Sequence, residues 1–148
     1  MFKKRKRKGQ AIVEMALVFP FFILIIVGGL IDFGFAFYNF LSLQQVANDT
    51  AQWAAESQGK GTVPSDSEII AYANSNRPQW WTGTFTVSPP KTDELTQTGG
   101  KYVSILMTYE SPTYTPFYQT MFQAVTGDSS IRLAAQAAYK IPELVTAH

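Results

Sequence analysis

From Ala16 to Ile31 every position is apolar, glycine or proline, and Ala11, Ile12, Val13 and Met15 extend the run, interrupted once by Glu14. About 20 such residues, at ~1.5 Å rise each, match the ~30 Å hydrocarbon core of a bilayer. A soluble helix this apolar needs apolar partners on all sides, and a chain of 148 residues hardly supplies them. The run predicts a membrane helix, with Ala16, Leu17, Pro20, Phe22, Ile25, Ile26 and Ile31 among its membrane positions.

Helical spacing continues past the run. Ala36, Phe40, Leu43, Ala47, Ala51 and Ala54 recur at steps of three and four, with Asn39, Gln44, Gln45, Asn48, Asp49 and Gln52 elsewhere around the axis. No proline falls between Phe21 and Val63. One helix from about Ala11 to Ser57 would run roughly 70 Å and stop at Gly59-Lys60-Gly61. Its outer half offers a narrow, alanine-rich face for a small domain.

Shorter signals follow. Ser65 and Glu68 have capping-box spacing, which predicts a helix to about Ser75, closed by Asn76-Arg77-Pro78. Phe85 and Val87 alternate with Thr84, Thr86 and Ser88, a strand ended by Pro89-Pro90. Lys91 to Gly100 reads as a polar loop. Lys101 to Glu110 reads as a strand with Val103, Ile105, Met107 and Tyr109 on one face. Thr115-Pro116 starts a helix with Phe117, Met121 and Val125 on one side and Gly127 at its end. Ile131, Leu133, Ala135, Ala137, Tyr139 and Ile141 alternate; the alanines also permit a helix, but the alternation favours a strand. The fold class is α+β: a long N-terminal helix carrying a head of about three antiparallel strands and short helices. Residues 1–9 form a basic leader, 10–57 the membrane and amphipathic helix, and 58–148 the head. Trp80, Trp81, Phe85, Tyr109, Phe117 and Phe122 read as core or interface residues. The Trp80-Trp81 pair also suits a carbohydrate or lipid contact, with packing preferred.

Charge adds an orientation. Six of the twelve Lys and Arg residues are Lys3, Lys4, Arg5, Lys6, Arg7 and Lys8, immediately before the apolar run. From Phe33 onward, six basic residues face nine acidic ones, a net of minus three. Short basic flanks stay cytoplasmic, so the head is expected outside. A secretory signal peptide has the same basic start, but its apolar core is usually ~7–15 residues. The bulky Asp32-Phe33-Gly34-Phe35-Ala36-Phe37 also offers no small-x-small cleavage site. A nucleic-acid patch is the other use of such a cluster; abutting an apolar span, it reads as a topology signal. Glu14 and Asp32 lie 18 residues apart, about 27 Å along a helix. Each can therefore sit near an interface, where charge costs less than at the bilayer centre. Asp32 reads as a snorkelling boundary residue, whereas Glu14 breaks the apolar pattern right where the cations end.

Candidate chemistry is sparse. There is no cysteine, and His148 is the only histidine. Disulfides, thiol catalysis, histidine triads and multi-histidine metal sites are thereby excluded. Asp93-Glu94 falls in a polar stretch and reads as a solvated face. No phosphate-binding glycine loop, zinc motif or nucleophile elbow is present. The reading is a non-enzyme without cofactor, small-molecule substrate or nucleic-acid partner. A signal-anchored binding protein, whose head captures a ligand, is the alternative.

The segment Gly9-Gln10-Ala11-Ile12-Val13-Glu14 follows a basic leader and precedes an apolar helix, and so resembles the processing site of type IV pilin-like proteins. The longer run from Gly9 to Val18 with Pro20, then Asp32-Phe33-Gly34, resembles the TadE-like pseudopilins of the tight-adherence (Tad) pilus system. The likeness extends from about Lys8 to Ala55, with Ala47, Ala51, Ala54 and Ala55 fitting it. It implies a minor pilin of the bacterial inner membrane, with other pilin subunits and membrane lipid as partners. It also implies a prepilin peptidase that cuts between Gly9 and Gln10. The product would carry six basic against eleven acidic residues. Glu14 would pair with the new α-amino group of a neighbouring subunit's Gln10, setting the stagger between subunits. Major Tad pilins usually carry tyrosine after that glutamate and are much shorter. Met15 and the length here suggest an accessory subunit. Pro20 removes one helical hydrogen bond and offers a bending point, which neighbouring helices can absorb.

Overall fold

A computed structural model describes residues 6–95 and 100–142, with side chains from residues 9–92 and 100–142. The elements are α1 (Lys6–Gly59), α2 (Asp66–Asn76), β1 (Phe85–Val87), β2 (Lys91–Leu95), β3 (Gly100–Pro112), α3 (Pro116–Thr126) and β4 (Ser130–Lys140). The α+β class expected from the pattern is observed. Lys3, Lys4, Arg5 and His148 lie outside the described residues, as do the side chains of Lys6, Arg7 and Lys8.

Helix α1 is unbroken, with Pro20 inside it. It ends where the glycines predict: Lys60 and Thr62 donate backbone N–H groups to Glu56 and Ser57 carbonyls, and Gly61 turns the chain at φ 87°. Helix α2 starts at the predicted capping box. Ser65 Oγ accepts the Glu68 N–H at 3.4 Å, and the Glu68 carboxylate accepts the Ser65 N–H at 2.7 Å.

The chain divides into two compact units. One comprises residues up to Phe35 together with Thr113–Ser129. The other comprises Ala36–Pro112 and the chain from Ser130. In the second unit, α1 contributes Leu43, Val46, Ala47, Ala51, Ala54 and Ala55 to the core. Against them pack Ile69 and Ala73 of α2, Trp81, the β3 face Val103, Ile105, Met107 and Tyr109, and Ala135 and Ala137 of β4. Burying each large side chain contributes about 1.5–3 kcal/mol.

Strand β3 is the centre of an antiparallel sheet. Strand β4 pairs along it from Tyr102 to Pro112, occupying one edge. The other edge takes β1, opposite Tyr109 to Met107, and then β2, opposite Ser104 to Gly100. Val87 faces Met107 and Lys91 faces Ser104, so residues 88–90 stand opposite only residues 105–106. The strands β1 and β2 are two halves of one edge strand, parted where Pro89-Pro90 cannot donate to the ladder. The segment expected to be a loop from Lys91 is thus paired over Lys91–Leu95. Its sequence has no apolar alternation, and the pairing with β3 is made by the backbone.

Asn39 also departs from expectation. It was placed off the apolar face, yet it is only 3% exposed. Its Nδ2 donates to Ser111 Oγ at 3.0 Å, and its Oδ1 accepts the Trp81 indole N–H at 3.2 Å. Trp81 stacks on Tyr109, with ring centroids 4.3 Å apart, and Trp80 lies exposed over Tyr38. Trp81 is therefore packed in the core, as preferred from the sequence, whereas Trp80 stays at the surface.

Candidate functional site: the apolar helix and its clasp

Two features of the first unit carry the candidate chemistry. One is the naked surface of α1. From Gly9 to Val27 every described side chain is exposed, including Ala16, Leu17, Pro20, Phe22, Ile25 and Ile26; Ile31 is exposed as well. An apolar surface this long on a soluble chain is an interaction site by the ordinary standard of patch size. Helix α1 is long and apolar enough to cross a membrane.

Gly9, Gln10 and Glu14 sit on the first turns of this helix. Among the described residues, Gly9 has no atom within 4 Å of where a side chain would begin, the backbone of its own helix aside. Glu14 is exposed, and its Oε1 accepts from Gln10 Nε2 at 3.2 Å, an i to i+4 contact. Among the described residues, the glutamate is thus held by a neighbour on its own helix face.

The second feature is Asp32, and here the sequence reading is corrected. Asp32 is not a boundary charge reaching for water; it is 1% exposed. Its Oδ1 accepts the backbone N–H of Tyr114 at 2.7 Å and that of Thr115 at 3.2 Å. Its Oδ2 accepts the Thr115 hydroxyl. A buried carboxylate without such donors would be expensive. Here it lies at the positive end of α3, where negative charge is favoured. Thr115 is the N-cap of α3 and makes no side-chain cap bond with its own helix; its hydroxyl donates to Asp32.

Helix α3 is then drawn down onto α1. The Tyr118 hydroxyl donates to the Ile25 carbonyl at 3.0 Å. Gly28 and Gly29 make the room. A Cβ on Gly29 would lie 2.6 Å from the Tyr118 hydroxyl, and one on Gly28 3.3 Å from Thr115 Oγ1. Phe33 meets Tyr118 and Phe122 edge-on, with centroids 5.6 and 6.4 Å apart. At the base of the excursion, Thr113 donates its hydroxyl and its N–H to the Ser129 carbonyl, and Gln119 Nε2 donates to the Thr113 carbonyl at 2.8 Å. The two adjacent glycines inside an apolar helix were the available signal. Each costs about 1 kcal/mol relative to alanine, so a pair implies a close approach.

In the second unit an open cleft of about 480 Å³ is lined by Trp53, Ser57, Thr62, Pro64, Glu68, Ala71, Tyr72 and Ser75. Its carboxylate, Glu68, is already engaged by the Ser65 N–H and hydroxyl, which hold its pKa below the usual 4.5. Trp53 and Tyr72 stack on each other at 4.4 Å. The cleft presents no convergent set of free polar groups of the kind ligand sites use.

The model of the TadE-like protein family matches residues 9–52, the segment on which the likeness was read. The match covers 44 of the 148 residues, all of them in α1, and is a likeness to that family over this segment. The chain's long apolar N-terminal helix fits a membrane anchor, and the family likeness suggests contact with other pilus components. No curated protein and no solved structure matches the chain.

Proposed function

We propose that this chain is a minor pilin or pseudopilin of a Tad-type pilus, held in the inner membrane by α1. The observation that carries the reading is a coincidence: the exposed apolar surface of α1 lies within the residues that match the TadE-like family. The basic leader keeps the N-terminus in the cytoplasm and sends the sheet domain across. Lateral packing of α1 against sister helices assembles the subunit, and the head gives partner specificity.

In this reading a prepilin peptidase releases residues 1–9. Gln10 then begins the chain, and its new α-amino group becomes the partner of Glu14 on a neighbouring subunit. A carboxylate surrounded by apolar helices needs such a cation, and the pairing fixes axial register. The outcome is adhesive pilus biogenesis, with the subunit at the base or tip of the fibre.

Mass spectrometry of the chain co-expressed with its cognate peptidase tests the proposal. The expected product begins at Gln10. A product that still begins at Met1, or that is cut elsewhere, overturns it. Glu14→Ala should insert in the membrane normally and fail to assemble; normal assembly would remove the pairing.

A further inference from the structure

Helix α3 is held to α1 by one edge alone. Tyr118 and Phe122 are half-buried, and the rest of the helix is exposed. Around its axis, Phe117, Met121, Ala124 and Val125 share the arc next to that edge, while Gln119, Thr120, Gln123 and Thr126 occupy the opposite one. Val125 is 80% exposed and Phe117 49%. The helix contains no charged residue.

Its attachment points set its depth. The Tyr118 hydroxyl meets the Ile25 carbonyl, and Ile25 is seven residues, about 10 Å, before Asp32 along α1. Thr115 and Tyr118 rest on Gly28 and Gly29, in the last turn of the apolar run. Where those residues are in a bilayer, α3 is beside them. We infer that α3 is an interfacial membrane helix, seated in the leaflet on the head side of α1, with Phe117, Met121, Ala124 and Val125 against lipid acyl chains.

Three observations favour lipid over a second protein chain. The exposed apolar residues of α3 belong to the same compact unit as the exposed apolar stretch of α1. An uncharged polar arc and flanking tyrosines suit the headgroup boundary. The buried Asp32 clasp closes the backbone N–H groups of Tyr114 and Thr115, which would otherwise be unsatisfied at that depth. The anchor therefore comprises two elements, a spanning helix and a shorter helix lying against it. This rests on α1 being a membrane span.

The chain has no cysteine, so single labels are unique. Leu24→Cys, Val125→Cys and Gln136→Cys, each carrying an environment-sensitive fluorophore, are reconstituted as full chains in phosphatidylethanolamine–phosphatidylglycerol vesicles. Some vesicles carry nitroxide-labelled acyl chains. The expected result is blue-shifted emission and nitroxide quenching at positions 24 and 125, and water-like, unquenched emission at 136. Quenching at 24 with water-like emission at 125 overturns the inference and leaves the anchor standing. Emission at 125 that is shielded from water but unquenched by lipid nitroxide assigns the face to another protein copy and also overturns it. Absence of quenching at both 24 and 125 overturns the anchor itself.

Discussion

Asp32 and Thr115 are 83 residues apart in sequence, and they meet through both the backbone N–H and the hydroxyl of the threonine. Replacing Asp32 with alanine leaves the Tyr114 and Thr115 donors unpaired, at about 1–3 kcal/mol for a buried group. Asp32→Asn retains one acceptor and should cost less. The loss should be local to Thr113–Ser129. Hydrogen exchange in micelles would read it as faster exchange at the amides of residues 114–119, with β3 and β4 unchanged. Uniform acceleration across the chain would contradict a local clasp.

Gly29 gives a prediction of opposite sign to helix propensity. In an exposed helix interior, glycine to alanine stabilises by about 0.8–1 kcal/mol. At Gly34, where nothing lies within 4 Å of a new Cβ, that gain is expected. At Gly29 the new methyl meets the Tyr118 hydroxyl at 2.6 Å. Gly29→Ala should therefore loosen α3, and Tyr118→Phe in the same chain should recover part of the loss. Limited proteolysis within residues 113–129 compares the variants. Gly29→Ala and Gly34→Ala behaving alike would remove the notch.

What the sequence revealed, and what it hid, follows from the range of each interaction. The long helix, the Ser65–Glu68 cap, the Gly127 stop and the buried face of β3 are local signals, and all are present. Asn39 was legible in principle: it stands three residues after Ala36 and four before Leu43, on the stripe itself, but its polarity argued against burial. Its partners Trp81 and Ser111 lie 42 and 72 residues away. Strand β2 carries no side-chain pattern, since an edge strand is recruited by backbone pairing. Asp32 was read as an interface charge because nothing within the helix shows that a loop 82 residues later donates to it. At the candidate site, the exposed helix was legible from composition and the clasp was not.

Asn39 bridges α1 to Trp81 and Ser111 inside the second unit. Asn39→Leu should cost about 1–3 kcal/mol, because the Trp81 indole N–H and the Ser111 hydroxyl lose their partner while buried. Asn39→Asp retains the acceptor for Trp81 but loses the donor to Ser111. Fluorescence during chemical unfolding, in a background with Trp53 and Trp80 replaced by phenylalanine so that Trp81 alone reports, measures both. A stability gain in Asn39→Leu would mean that the polar bridge is replaceable by packing alone.

The cap of α2 makes stability depend on pH, with a sign that can be worked out. Backbone and hydroxyl hydrogen bonds from Ser65 hold the Glu68 carboxyl below its ordinary 4.5 in the folded chain. The folded state therefore binds the proton more weakly than the unfolded state. The contribution is fully present above the unfolded value and is lost as pH falls through the folded one. Glu68 is solvent-exposed, so the effect is modest and salt-sensitive. Thermal unfolding of the wild type and Glu68→Gln should differ at neutral pH, with the wild type higher, and converge as pH drops below about 4.5. Ser65→Ala should reproduce the neutral-pH deficit and lower the sensitivity of the Glu68 substitution, because the two residues act through one reciprocal pair. A constant gap between wild type and Glu68→Gln across this range would show that the carboxylate acts through something other than its charge-assisted bonds to Ser65.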